Sequence, residues 1–117
     1  LTNIDLWGNK IDDEGAVILA EALEKNKSLK IVHLRSNQIG DKGAELLAEA
    51  LKINKNLEYM DLSFNGIGDK GARALIQALE INKTIVNIKL ENNGISPDLL
   101  EKINVALERN RKLAAAS

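Results

Sequence analysis

The chain has 117 residues, enough for one domain, with 44% apolar residues and only 3% aromatic ones, so its core must be aliphatic. A net charge of −1 argues against a nucleic-acid footprint or a polybasic membrane patch, and the absence of cysteine excludes disulfides, a thiol nucleophile and thiolate metal sites. No apolar run approaches the ~18 residues of a membrane span and no signal peptide is visible, so a cytoplasmic location is expected.

An apolar pattern, L-x-x-L-x-L-x-x-N-x-I, restarts every 28 residues and divides the chain into segments 1–28, 29–56, 57–84 and 85–112. It is carried first by Leu1, Ile4, Leu6, Asn9 and Ile11 and then by Leu29, Val32, Leu34, Asn37 and Ile39. Leu57, Met60, Leu62, Asn65 and Ile67 carry it next, then Ile85, Ile88, Leu90, Asn93 and Ile95. A period of this size predicts a solenoid whose units stack to share one core.

Within each unit the first half alternates like a short strand. Ile4 and Leu6 point inward, while Asn3, Asp5 and Trp7 point outward. The second half has helical spacing. Ala16, Leu19, Ala20 and Leu23 share one face, as do Ala44, Leu47, Ala48 and Leu51, and then Ala72, Leu75, Ile76 and Leu79. Asp13, Asp41 and Asp69 suit the first helical turn, where a carboxylate meets free backbone N–H groups and the helix dipole. Ser96-Pro97-Asp98 does the same in the fourth unit. Asn26, Asn54, Asn82 and Asn110 fall in register at the helix ends and are expected to be left-handed stops. Asn9, Asn37, Asn65 and Asn93 are expected to be buried, their amides bonded to the loop backbone. Parallel strands joined by helices cross over right-handedly. The expected fold is therefore an α/β, right-handed solenoid arc, with a four-stranded parallel sheet on the concave face and helices on the convex face.

The fourth unit departs from the others. Leu99-Leu100 replaces the Gly-Ala pair at the helix start, and Asn104 stands where Ala20, Ala48 and Ile76 stand elsewhere. With Arg109, Arg111 and Lys112 these changes predict a C-terminal capping unit. Residues 113–117 read as a native tail or an expression scar. The first unit shows no such adaptation. It is expected that upstream repeats were removed, or that a second copy covers that end.

The repeat resembles the ribonuclease-inhibitor type of leucine-rich repeat, of the kind found in NOD-like receptors, tropomodulin and the Ran GTPase-activating protein. The phrases Leu62-Ser63-Phe64-Asn65 and Ile39-Gly40-Asp41-Lys42-Gly43-Ala44 carry the resemblance. So does Ala78-Leu79-Glu80-Ile81-Asn82-Lys83-Thr84. It implies a curved module that binds a protein on its concave face, with no catalytic residues, no metal and no cofactor.

Neighbouring parallel strands lie about 4.8 Å apart, so outward positions form rows across the sheet. These rows are Asn3-Ile31-Tyr59-Asn87, Asp5-His33-Asp61-Lys89 and Trp7-Arg35-Ser63-Glu91, followed by the ridge Gly8-Ser36-Phe64-Asn92. All three aromatics, Trp7, Tyr59 and Phe64, map to this surface. Together with His33, Arg35, Asp61 and Glu91 they are the candidate partner-binding residues, because aromatics and Arg dominate binding hot spots. Arg35 is expected to lie on the Trp7 indole. His33, between Asp5 and Asp61, is expected to have a raised pKa and so to give a pH-sensitive contact. A metal site on His33 and the two aspartates, or an Asp-His-Ser set using Ser63, competes with a simple solvated charge ladder. The face spans only a few hundred Å², below the roughly 800 Å² per partner of a standard interface, so binding by this stretch alone is expected to be weak. The alternative function is a structural or self-associating scaffold that contacts a second copy through the uncapped first repeat.

Overall fold

A computed structural model describes residues 2–116. Strand and helix alternate as the repeat requires: β1 (Asn3–Asp5), α1 (Asp13–Lys25), β2 (Ile31–His33), α2 (Gly40–Ile53), β3 (Tyr59–Asp61), α3 (Asp69–Ile81), β4 (Asn87–Lys89) and α4 (Pro97–Ala116). The strands form one parallel sheet in the order β1-β2-β3-β4. Each residue pairs with its counterpart one repeat later, as in Asp5 with His33, His33 with Asp61 and Asp61 with Lys89. The chain is an α/β leucine-rich solenoid with the sheet in one layer and the helices in the other.

The helices form because Ala, Leu, Glu and Lys dominate them and because small residues return every three or four positions. In α2 the buried side is Gly43, Ala44, Leu47, Ala48, Ala50 and Leu51; in α3 it is Gly71, Ala72, Leu75, Ala78 and Leu79. The inward strand residues Val32, Met60 and Ile88 pack beneath them. Each fully buried Leu or Ile contributes about 1.5–3 kcal/mol. The first repeat is looser. Ile4, Leu6, Ile11 and Leu19, in the first described unit, are half-buried.

Two ladders of asparagines hold the repeats together. Asn37 Nδ2 donates to the Leu6 carbonyl of the previous repeat at 3.0 Å and to the Leu34 carbonyl at 2.9 Å. Its Oδ1 accepts from the backbone N–H groups of Asn9 and Ile11, each at 2.9 Å. Asn93 repeats this against Asn65, Ile67 and the Leu62 carbonyl. Asn65 is buried and Asn93 half-buried, while Asn9, in the first described unit, is exposed.

The second ladder corrects an expectation. Asn26, Asn54 and Asn82 do end helices, but with extended backbones, ψ between 119° and 130°, rather than left-handed ones. The side chain stops the helix instead. Asn54 Oδ1 accepts from the N–H groups of Asn56 and Leu57, both at 2.8 Å, while Nδ2 reaches back to the Leu23 carbonyl at 2.7 Å. Asn110 stops nothing. It lies inside α4, which runs on to Ala116, and its amide bonds the carbonyls of Asn82 and Ile85. The left-handed step occurs elsewhere, at the same position of each repeat: Gly8, Ser36, Phe64 and Asn92, with φ of 57–68°.

The helix-start aspartates also act across repeats. Asp12, not Asp13, caps α1 by accepting from the Gly15 N–H. Asp41 and Asp69 lie in the first turns of α2 and α3 as expected, yet their carboxylates serve the following repeat. Asp41 Oδ1 accepts from the N–H groups of Gly68 at 2.7 Å and Gly71 at 2.9 Å. Asp69 accepts from the Ser96 N–H at 2.7 Å and from its hydroxyl. These Ser96 bonds, helped by the Arg73 charge, hold the Asp69 pKa below its ordinary value of 3.8. A carboxylate with a depressed folded pKa stabilises the protein above its unfolded pKa, and that contribution is lost as pH falls through the folded value. Asp69→Asn is therefore expected to flatten the fall in stability between about pH 5 and pH 3, read by urea denaturation across that range. An unchanged slope would show that Asp69 does not couple the α3–α4 joint to pH.

Candidate functional site

The outward sheet positions assemble in the rows that the 28-residue register dictates. Three-residue strands leave only two outward side chains each, so the site extends into the turn that follows, through Trp7, Arg35, Ser63 and Glu91. The backbone there continues the ladder, with Gly8 N–H donating to Arg35 O and Phe64 N–H to Glu91 O.

Two contacts organise this face. The His33 and Tyr59 rings lie 5.4 Å apart, tilted by 58°. The Arg35 guanidinium sits 4.8 Å from the Phe64 ring centroid and 3.9 Å from Asp61 Oδ2. The expected stack of Arg35 on Trp7 is not formed; Phe64, in its left-handed step, receives the guanidinium instead. Trp7 is 60% exposed, and its backbone N–H donates to Asp5 Oδ1 at 3.0 Å.

Asp61 is no open contact residue, being only 5% exposed. Its Oδ1 accepts from the Ser63 N–H at 3.0 Å, the same local turn that Asp5 makes with Trp7. An Asp two residues before the turn in both repeats is the sequence signal for it. Burial, and after it the Asp61 carboxylate, raises the Tyr59 phenol pKa above its ordinary value of 10.0, while Lys89 and Arg35 act the other way. Lys89 pairs with Glu91 at 3.5 Å, closing the row at β4.

The chemistry of a nucleophilic set is not assembled. Ser63 is fully buried and its Oγ accepts from the Glu91 N–H. The His33 ring is turned to Tyr59 and makes no hydrogen bond to Asp5, Asp61 or Ser63 among the described residues. Nor do any three His, Asp or Glu side chains among the described residues gather as metal ligands, so the His33 and two-aspartate metal arrangement is dropped. No described helix is long and apolar enough to cross a membrane.

Among solved structures, actin-binding site 2 of leiomodin-1 is similar over 98% of this chain and 83% of its own, with a TM-score of 0.81 at 23% identity. The C-terminal domain of tropomodulin from Caenorhabditis elegans is similar over 99% of this chain and 87% of its own, with a TM-score of 0.62 at 17% identity. Identities this low carry the fold alone. No curated protein sequence matches the chain. The leucine-rich-repeat family model matches residues 1–20, 25–48 and 54–75, more than half of the chain. With that match, the 28-residue register and the helix in every unit, the chain belongs to the leucine-rich-repeat family, in its ribonuclease-inhibitor type.

Proposed function

We propose that this chain is a protein-binding module and that its strand-lined, concave face is the contact surface. The observation that carries this is the strip of aromatic and cationic side chains on that face: Trp7, His33, Tyr59, Arg35 and Phe64. Trp7 supplies a large exposed apolar area with an indole N–H as its polar handle. Tyr59 and His33 supply a half-buried aromatic pair. Arg35, braced by Asp61 and Phe64, presents a cation whose conformational freedom is already reduced, which lowers the cost of fixing it against a partner. Glu91 marks the acidic end of the surface beside Lys89. Catalysis has no place in this reading, and neither does a cofactor. The cysteine-free composition is compatible with the reducing cytoplasm.

The leiomodin-1 domain of similar fold is described as an actin-binding site, so actin is the first purified probe to test. The decisive experiment compares the intact protein with Trp7→Ala/Tyr59→Ala in a pull-down, first with purified actin and then with lysate. Folding of the variant is verified by circular dichroism. Hot-spot truncation costs about 2 kcal/mol, roughly thirtyfold in affinity, so the variant should lose the partner that the intact protein retains. A partner retained equally by both proteins would move the contact surface off the sheet.

A further inference from the structure

The turns that follow the helices line one rim of the solenoid, and the charge there is unlike that of the rest of the chain. Residues 24–30, 52–58, 80–86 and 108–114 are equivalent segments of the four repeats and hold nine Lys or Arg against four Glu, in a chain whose net charge is −1. Lys27, Lys55 and Lys83 stand at one position of successive repeats, and all three are exposed. Arg111 holds the same register inside α4. The opposite rim, where the helices start, carries Asp12, Asp13, Glu14, Asp41, Asp69 and Asp98. The molecule is therefore polarised from one rim to the other.

Helix dipoles account for part of this. A helix C-terminus carries about −0.5 of a charge and attracts cations. Lys55 and Lys83 donate to carbonyls of the last helical turns, Lys52 O at 3.2 Å and Glu80 O at 2.8 Å. The ends of α1, α2 and α3 together supply only about −1.5, well short of the surplus of cations on the rim. Lys27 makes no hydrogen bond or ion pair among the described residues.

Between the turns after α2 and α3 and the end of α4 lies an open hollow of about 330 Å³. Lys30, Lys55 and Lys83 line it, with Asn56 and Thr84. The Thr84 hydroxyl is taken, donating to Asn82 Oδ1 at 3.1 Å. The half-buried Asn56 side-chain amide makes no hydrogen bond among the described residues. Glu58 also lines the hollow, and its carboxylate is paired with Lys30 at 3.8 Å. Cations and an amide donor converging on a space of this size suit one carboxylate side chain.

The spacing fits a peptide. Neighbouring strands lie about 4.8 Å apart and neighbouring helices about 8–10 Å apart, so equivalent turn residues step by a distance between these. Alternate side chains of an extended peptide lie about 6.6 Å apart. Ile53 and Ile81, 55% and 50% exposed at the ends of α2 and α3, add apolar surface two residues before Lys55 and Lys83. An anionic membrane would press its headgroups against Glu24, Glu80 and Glu108, whereas a peptide can set its carboxylates between them.

We propose that this rim binds an extended acidic segment of a partner protein, with carboxylates on Lys27, Lys55 and Lys83 and one of them seated in the hollow. The surface is separate from the strand-lined face and does not depend on it.

Fluorescence anisotropy with a labelled oligoglutamate of about eight residues, long enough to cross the three lysines, tests this. The intact protein should bind it saturably at low salt and more weakly as salt rises, because exposed charges are screened. Oligoglutamine should not bind. Lys55→Glu/Lys83→Glu should weaken binding about tenfold or more. Those lysines also bond helix ends, so Lys27→Glu, which breaks no such bond, should weaken it about threefold with the melting temperature unchanged. Trp7→Ala/Tyr59→Ala should bind the peptide as the intact protein does, which separates failure here from failure of the concave-face reading. Absence of saturable binding at low salt would overturn the proposal, as would binding indifferent to both lysine variants or lost in Trp7→Ala/Tyr59→Ala. Equal affinity for oligoglutamine, or tighter binding to phosphatidylserine vesicles than to the peptide, would overturn it as well.

Discussion

Replacing Asn65 by alanine is expected to cost about 3–5 kcal/mol, a large share of the roughly 5–15 kcal/mol that holds a domain folded. The reason is the number of buried groups that depend on one amide. Asn65 Nδ2 serves the carbonyls of Leu34 at 2.8 Å, Leu62 at 3.1 Å and Ser63 at 3.0 Å. Its Oδ1 accepts from the Ile39 N–H at 3.3 Å. Alanine removes all of these bonds and offers nothing in return. A buried polar group left without a partner costs about 1–3 kcal/mol, and partial access of water brings the total below the simple sum. Asn9→Ala is the control, since Asn9 is exposed and its amide reaches only Trp7 O. It should cost less than about 1 kcal/mol. Chemical denaturation of both variants measures the difference. Equal costs would mean that the amide ladder is not what holds adjacent turns in register.

The second large effect is expected at Gly71, where a single methyl group has nowhere to go. An added Cβ would lie 2.9 Å from Ala44 Cβ, 2.9 Å from Asp41 Oδ1 and 2.8 Å from Ile67 Cγ2. Ile67 is fully buried and β-branched, Ala44 Cβ is rigid and Asp41 Oδ1 is occupied with the Gly68 and Gly71 N–H groups. Relief therefore requires α2 and α3 to separate, which opens the core beneath them. Overpacking of this kind costs about 1–3 kcal/mol, and the gain in helix propensity of about 1 kcal/mol offsets only part of it. With a net cost of about 1 kcal/mol, Gly71→Ala should lower the melting temperature by about 4–8 °C. Gly15→Ala should be near neutral, because the only close side-chain carbon is Ile11 Cγ2 at 2.8 Å and Ile11 is half-buried and free to adjust. Combining Gly71→Ala with Ala44→Gly should recover much of the loss. If it does not, the clash with Asp41 is the controlling one.

The register of the sheet was legible in the sequence because repetition leaves little choice. If each unit folds alike, residue 33 must stand between 5 and 61, and the structure places it there. The rows of the candidate site follow from the same fact. Contacts within those rows were not legible, since they depend on which way a side chain turns. Trp7 shares the row of Arg35, 28 residues away, whereas Phe64 stands diagonal to it on the next ridge, and the register alone favoured the neighbour that the guanidinium does not take. The burial of Asp61 and Ser63 was similarly hidden, because outward positions next to a turn fold back onto the backbone.

The asparagines show a different limit. Asn at a helix end has two physical justifications, tolerance of a left-handed backbone and a side chain that both accepts and donates. Here the second applies at Asn26, Asn54 and Asn82, and the donated half crosses to another repeat in the last two. Local sequence cannot display a bond made 31 residues away. The same holds for Asp41 and Asp69, whose partners lie 27 and 30 residues ahead.

Those long-range bonds have a consequence for how such a chain can change by inheritance. The amide of Asn37, of Asn65 and of Asn93 each reaches the carbonyl 31 positions earlier, through the same pair of atoms. A gene segment coding one whole unit can thus be lost or copied, and the two turns brought together meet with matching donors and acceptors. An insertion that is not a whole unit changes the spacing only of the matches that span it. Length is free to vary in steps of one repeat, while the side chains on the strands are left to diverge unit by unit.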